Sequence, residues 1–144
     1  MTTNYSLKLE FFSATLSIGN DFIRKNTRWK LLEGFSVTLL DGSEYCVSGG
    51  LITDLASTPP ILWSVLPPFD DALKAYLVHD DMYRRRHLMD VLGRKAAQKY
   101  ADDNMLFLAK QYNSSTFRKR MNNQIRYRSV RAFGHLYFKD NLNP

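Results

Sequence analysis

The sequence predicts a single α+β domain over residues 1–144, in which antiparallel strands precede a bundle of three to four helices. Residues 1–56 contain short runs of alternating apolar and polar residues separated by turn residues, a pattern typical of half-buried strands. Residues 57–144 repeat apolar side chains at spacings of three and four, which indicates amphipathic helices. No repeat, low-complexity tract or linker interrupts the chain, so one shared core is the simplest architecture.

The clearest strand pair is a β-hairpin in the segment FSVTLLDGSEYCVSGG. Apolar and polar residues alternate on both sides of Asp41-Gly42, a dipeptide that favours tight hairpin turns. The segments YSLKLEFF and RWKLL are expected to supply further partner strands. Cys46 lies on the second strand of the hairpin and is expected to pack in the core as a small apolar residue.

Start and stop signals divide the second part of the chain into four helices, expected at about 57–66, 71–88, 94–112 and 117–138. Ser57 and the two prolines after Thr58 favour the first helix start, because a hydroxyl can cap and proline is accepted in the first turn. Asp70 or Asp71 is expected to cap the second helix. The fourth helix should break near Gly134.

Composition excludes several classes of protein. Hydrophobic residues make up 44% of the chain, which predicts a folded domain and not a disordered one. One cysteine permits neither an intramolecular disulfide nor a cysteine-based metal cluster. The N-terminus lacks the pattern of a signal peptide, and no apolar run is long enough to cross a bilayer, so a soluble protein is expected.

The positive charge is concentrated in the second half of the chain. Residues 1–70 hold 5 Lys and Arg against 7 Asp and Glu, whereas residues 71–144 hold 15 against 7. Residues 113–134 contain no acidic residue, and the aromatic residues Phe117, Tyr127 and Phe133 are interleaved with six basic ones: Arg118, Lys119, Arg120, Arg126, Arg128 and Arg131. Such a segment favours an anionic partner, whether lipid, nucleic acid or acidic protein. The alternative is an ordinary solvated helix face.

The stretch LVHDDMYRRR contains the strongest candidate for chemistry. His79 and Tyr83 are four residues apart and share a helix face, while Asp80 lies about 100° round the same helix. A histidine can accept a proton from water when another group fixes its second ring nitrogen. Asp102 is the candidate for that group if the two helices pack antiparallel, and Asp80 could then hold a hard cation such as calcium.

A structural role for the same residues stays open. A histidine and an aspartate on a helix often form a hydrogen-bonded pair that only stabilises the fold, and Asp80 and Asp81 each have an arginine four residues later. The stretch GGLITDLASTPP has the same two interpretations. Asp54 and Ser57 could support the site, or they could satisfy the backbone of a tight strand-to-helix connection.

Three segments together resemble the domain-of-unknown-function family 1353. They are TDLASTPP at 53–60, HDDMY at 79–83 and ADDNM at 101–105, and the later YRSVRAFG at 127–134 is similar to the closing segment of that family. Met105 stands where the family usually has phenylalanine. Members of the family look like phage and prophage proteins, so the resemblance implies a viral origin, with the protein in the virion or the host cytoplasm.

A more distant resemblance is to phospholipases A of the secreted and parvoviral type, whose helix has the pattern H-D-x-x-Y. This resemblance implies that His79 is the base, Asp80 a calcium ligand and Asp102 the residue that orients His79. It also implies that Tyr83 hydrogen-bonds the carboxylate of Asp102. The Y-x-G-x-G calcium loop of those enzymes is absent from this sequence.

Three functions follow as expectations. The first is a phage-encoded hydrolase in which His79, with or without calcium, activates water against an ester or amide of an envelope component. The second is a structural or assembly component of a virion, such as a tail or neck protein, that contacts other virion proteins. The third is a basic protein that binds nucleic acid or a membrane surface.

Overall fold

A computed structural model describes residues 9–13, 28–53 and 71–134 of the chain. Five strands come first, at Leu9–Ser13 (β1), Arg28–Leu31 (β2), Phe35–Thr38 (β3), Glu44–Val47 (β4) and Ile52–Thr53 (β5). Four helices follow, at Leu73–Arg85 (α1), Met89–Leu92 (α2), Arg94–Tyr112 (α3) and Phe117–Phe133 (α4). The α+β class predicted from the sequence is confirmed. The helix expected at 57–66 lies outside the described residues.

The strands form two antiparallel sheets. One has the order β1-β2-β5, and the other is the hairpin of β3 and β4. At the hairpin turn the Asp41 carboxylate accepts a hydrogen bond from the Ser43 amide at 2.9 Å, and Gly42 adopts the positive φ of 83° that favours glycine.

The hairpin buries one face, and this corrects the expectation for Cys46. Val37, Tyr45 and Val47 are buried, whereas Cys46 is exposed and lies 3.0 Å from the Ser36 hydroxyl across the pair. Successive side chains of a strand point to opposite faces. Because Tyr45 and Val47 point inward, the residue between them must point outward.

Helix α1 is shorter than the sequence predicted. Its N-cap is Ala72, without a side-chain cap, and Asp71 forms an ion pair with Lys119 instead of capping the helix; Asp70 lies outside the described residues. The helix ends at Arg85 because Arg86 takes a left-handed conformation, with φ 51° and ψ 48°, and its amide bonds back to carbonyls of the last turn. Leu88 is therefore not part of this helix.

Helix α3 packs against both α1 and α4. Its buried stripe includes Ala97, Ala101, Met105 and Leu108, which follow one another at spacings of three and four. Helix α4 begins after Thr116, whose hydroxyl accepts a hydrogen bond from the Lys119 amide at 3.1 Å, and ends at Phe133, before Gly134. Within the described residues, no helix combines the length and the apolar character needed to cross a membrane.

Candidate functional site

Helix α1 directs a histidine and a tyrosine into the core. His79 and Tyr83 lie on the buried face that also contains Ala75, Tyr76 and Met82, and they are 2% and 7% exposed. Their rings are in contact, with centroids 4.1 Å apart. The four-residue spacing read from the sequence therefore places both polar groups at the contact between α1 and α3.

Asp102 of α3 receives both of these groups on one oxygen. Its Oδ1 lies 2.7 Å from His79 Nε2 and accepts a hydrogen bond from the Tyr83 hydroxyl at 2.6 Å. Asp102 is completely buried. The contact expected between His79 and Asp102 is thus present. It forms because α1 and α3 pack antiparallel: Tyr83, one turn after His79 in α1, also bonds with Gln98, one turn before Asp102 in α3.

The second oxygen of Asp102 binds a residue that the sequence had suggested for another role. Arg131 of α4 donates a hydrogen bond from Nη1 to Oδ2 at 2.9 Å. Asp102 therefore joins α1, α3 and α4. No local sequence signal marks this pairing. The next residue of α3, Asp103, also meets α4, where it accepts a hydrogen bond from the Tyr127 hydroxyl at 2.7 Å.

The tyrosine and the arginine that bind Asp102 both act as hydrogen-bond donors to it. Burial raises the pKa of the Tyr83 hydroxyl above its usual value, and the negative charge of Asp102 adds to the shift, so Tyr83 stays a donor. Burial lowers the pKa of the Arg131 guanidinium, but the hydrogen bond to Asp102 and the attraction of its charge outweigh burial. The pKa of Arg131 is therefore raised. Three donors thus converge on one carboxylate.

One nitrogen of His79 is left over. Asp102 accepts a hydrogen bond from Nε2, so a neutral imidazole has its hydrogen on Nε2 and its lone pair on Nδ1. Nδ1 is buried and has no hydrogen-bond partner among the described residues. An imidazole that is fixed at one nitrogen and unbonded at the other is arranged to accept a proton from a molecule that reaches Nδ1.

Asp80 and Asp81 are not part of this cluster. Asp80 forms an ion pair with Arg84, with Nε and Oδ2 3.1 Å apart. Asp81 accepts hydrogen bonds from the Tyr45 hydroxyl of β4 at 2.7 Å and from Arg85 Nε at 3.1 Å. These two arginine contacts are the four-residue pairs expected from the sequence.

Among the described residues, no cluster of carboxylates accompanies Asp80 that could hold calcium. Calcium takes six to eight oxygen ligands, whereas the Asp80 carboxylate lies beside a guanidinium. Within 9–13, 28–53 and 71–134, no group of three or more His, Cys, Asp or Glu could hold a metal ion. Calcium therefore stays a prediction. The two residues expected to support the site, Asp54 and Ser57, lie outside the described residues.

The six basic residues proposed as an anion-binding set do not share one surface. Arg126 is 2% exposed and lies over the Tyr76 ring, with Cζ 4.0 Å from the centroid. Lys119 pairs with Asp71, and Arg131 binds Asp102. Only Arg118, Arg120 and Arg128 are exposed without an acidic partner among the described contacts, and Arg120 donates to the Ser114 carbonyl at 2.9 Å.

The model of the DUF1353 family, described as a protein of unknown function, matches residues 29–130. The chain belongs to the DUF1353 family. The match includes His79, Tyr83 and Asp102 and ends one residue before Arg131. No curated protein and no solved structure is significantly similar to the chain.

Proposed function

We propose that this DUF1353 protein is a hydrolase in which His79 acts as the general base through Nδ1. The observation that carries the proposal is the buried, unbonded Nδ1 opposite the bond from Nε2 to Asp102. A buried polar atom without a partner costs free energy and calls for an explanation. A water molecule that is hydrogen-bonded to Nδ1 and is used in the reaction would explain the unpartnered nitrogen.

The reaction needs only a proton carrier and a bound carbonyl compound. Nδ1 takes a proton from water, and the oxygen of that water attacks the carbonyl carbon of an ester or amide. The tetrahedral intermediate then releases its alcohol or amine, which leaves with the proton returned from Nδ1. Asp102 stabilises the imidazolium between these two transfers without receiving its proton.

The residues around Asp102 have positioning roles in this scheme. Tyr83 and Arg131 hold the carboxylate from two sides, so the imidazole it binds keeps one orientation. The same relations among His79, Tyr83 and Asp102 are implied by the resemblance to phospholipases A, and that resemblance favours an ester of an envelope lipid. Viral origin and a place in the virion or host cytoplasm also belong to the proposal, because members of the DUF1353 family resemble phage and prophage proteins.

The first test is turnover with defined substrates. Wild-type protein is incubated with phosphatidylglycerol vesicles and, separately, with purified peptidoglycan, with calcium or with a chelator, and released fatty acids or peptides are measured. His79→Gln should lower the rate by about 10²–10⁴-fold, the usual contribution of a general base. His87→Gln is the matched control, because His87 contacts Tyr45 and Tyr100 instead of the Asp102 cluster, and it should keep the wild-type rate.

The second candidate is a structural component of a virion, and the burial of the cluster favours it. His79 is 2% exposed and Asp102 is completely buried, as expected for a polar clasp between helices. In that case His79→Gln lowers the melting temperature while no substrate is hydrolysed by either protein. Stoichiometric copies of the protein in purified particles would favour this candidate, and full hydrolytic activity of His79→Gln would exclude the first.

A further inference from the structure

The outer face of α4 combines arginines with exposed apolar side chains. At about 100° per residue, Phe117, Met121 and Arg128 lie within about 40° of one another on the helix. Phe117 is 69% exposed and Met121 is 46% exposed. The opposite face contains the buried residues Asn123, Arg126 and Val130. Helix α4 is thus fixed to α3 by one face and presents the other to solvent.

Positive charge lies on both sides of this outer face. Arg118 is on one side and Arg120 on the other, both exposed, and Arg128 lies between them. No acidic residue occurs between 113 and 134, so nothing on the helix neutralises them. Guanidinium groups bind phosphate in a bidentate manner. Apolar side chains on the same helix face can enter the boundary between headgroups and acyl chains of a bilayer.

We propose that the outer face of α4, formed by Phe117, Arg118, Arg120, Met121 and Arg128, binds the surface of an anionic phospholipid bilayer. The helix lies parallel to the surface, with the arginines at the phosphates and the Phe117 and Met121 side chains below them. This surface does not depend on the hydrolase proposal, because none of its residues contacts His79 or Asp102 among the described interactions.

A bilayer fits this face better than nucleic acid does. Phe117 and Met121 lie on either side of Arg128, and their exposed apolar surface would remain against polar groups on a duplex, whereas the acyl boundary of a bilayer would bury it. Binding to single strands depends on aromatic rings on which bases stack. The outer face holds one exposed ring, that of Phe117, on which only a single base could stack. The Tyr127 hydroxyl is bonded to Asp103, on the side of the helix that meets α3. The chemistry of the outer face is therefore that of an interfacial helix.

The test is co-sedimentation of the full chain with two kinds of vesicle, one of phosphatidylcholine alone and one with phosphatidylcholine and phosphatidylglycerol in equal amounts. Binding is expected only to the second kind and should weaken steeply as salt is added. The double variant Arg118→Gln/Arg128→Gln should bind about 25-fold more weakly, at about fivefold for each arginine. The matched variant Lys30→Gln/Lys95→Gln, which removes the same charge from β2 and α3, should change binding much less.

A second pair of variants tests the apolar contribution. Met121→Gln should weaken binding at high salt, where the arginines are screened, whereas Val91→Gln, at a more exposed position on α2, should not. Equal losses from the two double variants would overturn the proposal, because net charge alone would explain them. No binding to anionic vesicles would also overturn it, as would tighter binding to a DNA duplex with the same dependence on Arg118 and Arg128.

Discussion

Two buried aspartates, Asp81 and Asp102, bind the same kinds of side chain in different combinations. Asp81 accepts from a tyrosine of the hairpin and from an arginine of its own helix, one on each oxygen. Asp102 also accepts from a tyrosine and an arginine, but it holds an imidazole in addition. The first arrangement is complete, whereas the second leaves Nδ1 of His79 unbonded among the described residues.

The difference between the two clusters is the basis for proposing a structural role for one and a chemical role for the other. The Asp81 cluster joins α1 to the hairpin, and each of its hydrogen bonds ends on a partner within the protein. His87, which is attracted by the charge of Asp81, meets the ring of Tyr45 edge-on, with centroids 5.0 Å apart. Among the described contacts it has no hydrogen bond to a carboxylate. In the Asp102 cluster the imidazole is oriented and still has a lone pair to offer.

Removal of each carboxylate should give the largest difference between the clusters. Asp102→Ala leaves His79, Tyr83 and Arg131 without a shared acceptor in the interior, so the free energy of unfolding should fall by about 3–5 kcal/mol. Asp81→Ala should cost less, about 1–3 kcal/mol, because the Arg85 side chain is 54% exposed and can turn to water. Urea denaturation of both variants measures the two values. Equal losses would contradict the distinction.

Removal of each tyrosine hydroxyl should reverse that order, so that the Asp81 cluster loses more stability than the Asp102 cluster. Tyr45→Phe leaves Oδ2 of Asp81 without its hydrogen bond, at a cost of about 1.5–3 kcal/mol for a bond to a charged group. Tyr83→Phe leaves Oδ1 of Asp102 still bonded to His79, so its cost should be nearer to about 1 kcal/mol. Urea denaturation again gives both values. A larger loss from Tyr83→Phe would mean that the bonds of Tyr83 to Asp102 and Gln98 together stabilise the fold more than the single bond of Tyr45 to Asp81.

Gly134, directly after α4, lies next to the Tyr83 hydroxyl of the Asp102 cluster. Its backbone is helical, with φ of −59°, so glycine is not needed there for conformation. A Cβ at this position would instead collide with the Tyr83 hydroxyl and approach Gln98 Nε2 to 3.0 Å. Gly134→Ala should therefore destabilise the fold by about 1–3 kcal/mol.

The Gly134 variant has a control that separates collision from helix propensity. In Gly134→Ala/Tyr83→Phe the hydroxyl that the new methyl meets is absent, and part of the loss should be recovered. Thermal unfolding of the single and double variants gives the coupling. Independent, additive losses would show that the methyl group and the hydroxyl do not meet.

The smallest expected effect concerns pH and the Asp81 side of α1. Burial lowers the pKa of the His87 imidazole below its usual value of about 6.5, against the opposing attraction of Asp81 and Asp41. The folded state then binds this proton less readily than the unfolded state. Stability from this group is present above about pH 6.5 and is lost as the pH falls through the lowered pKa.

His87→Gln removes this pH dependence. The free energy of unfolding of the variant, measured from pH 8 down to pH 5, should fall less than that of the wild type. A steeper fall in the variant would mean that the attraction of Asp81 and Asp41 dominates, and that protonation of His87 stabilises the fold.

Much of the fold could be predicted because it depends on local periodicity. The bounds of α3 and the buried stripe of α3 follow from apolar spacing, and the hairpin follows from alternation about Asp41-Gly42. The error at Cys46 came from treating cysteine by type, when the alternation of its neighbours already placed it outside. The end of α1 could not be predicted, since the left-handed Arg86 has no sequence signal such as glycine.

The sequence proposed Asp102 as the partner of His79, but by itself it determined only the geometry within one helix. The sequence by itself placed His79 and Tyr83 on one face, because residues four apart on a helix are neighbours. Only the tertiary structure decided that Asp102 receives both, that Arg131 binds Asp102 instead of a solvent anion, and that Arg126 is buried over Tyr76. Such pairings depend on the packing of helices distant in sequence, and the sequence around a basic residue does not indicate which acidic residue it will bind.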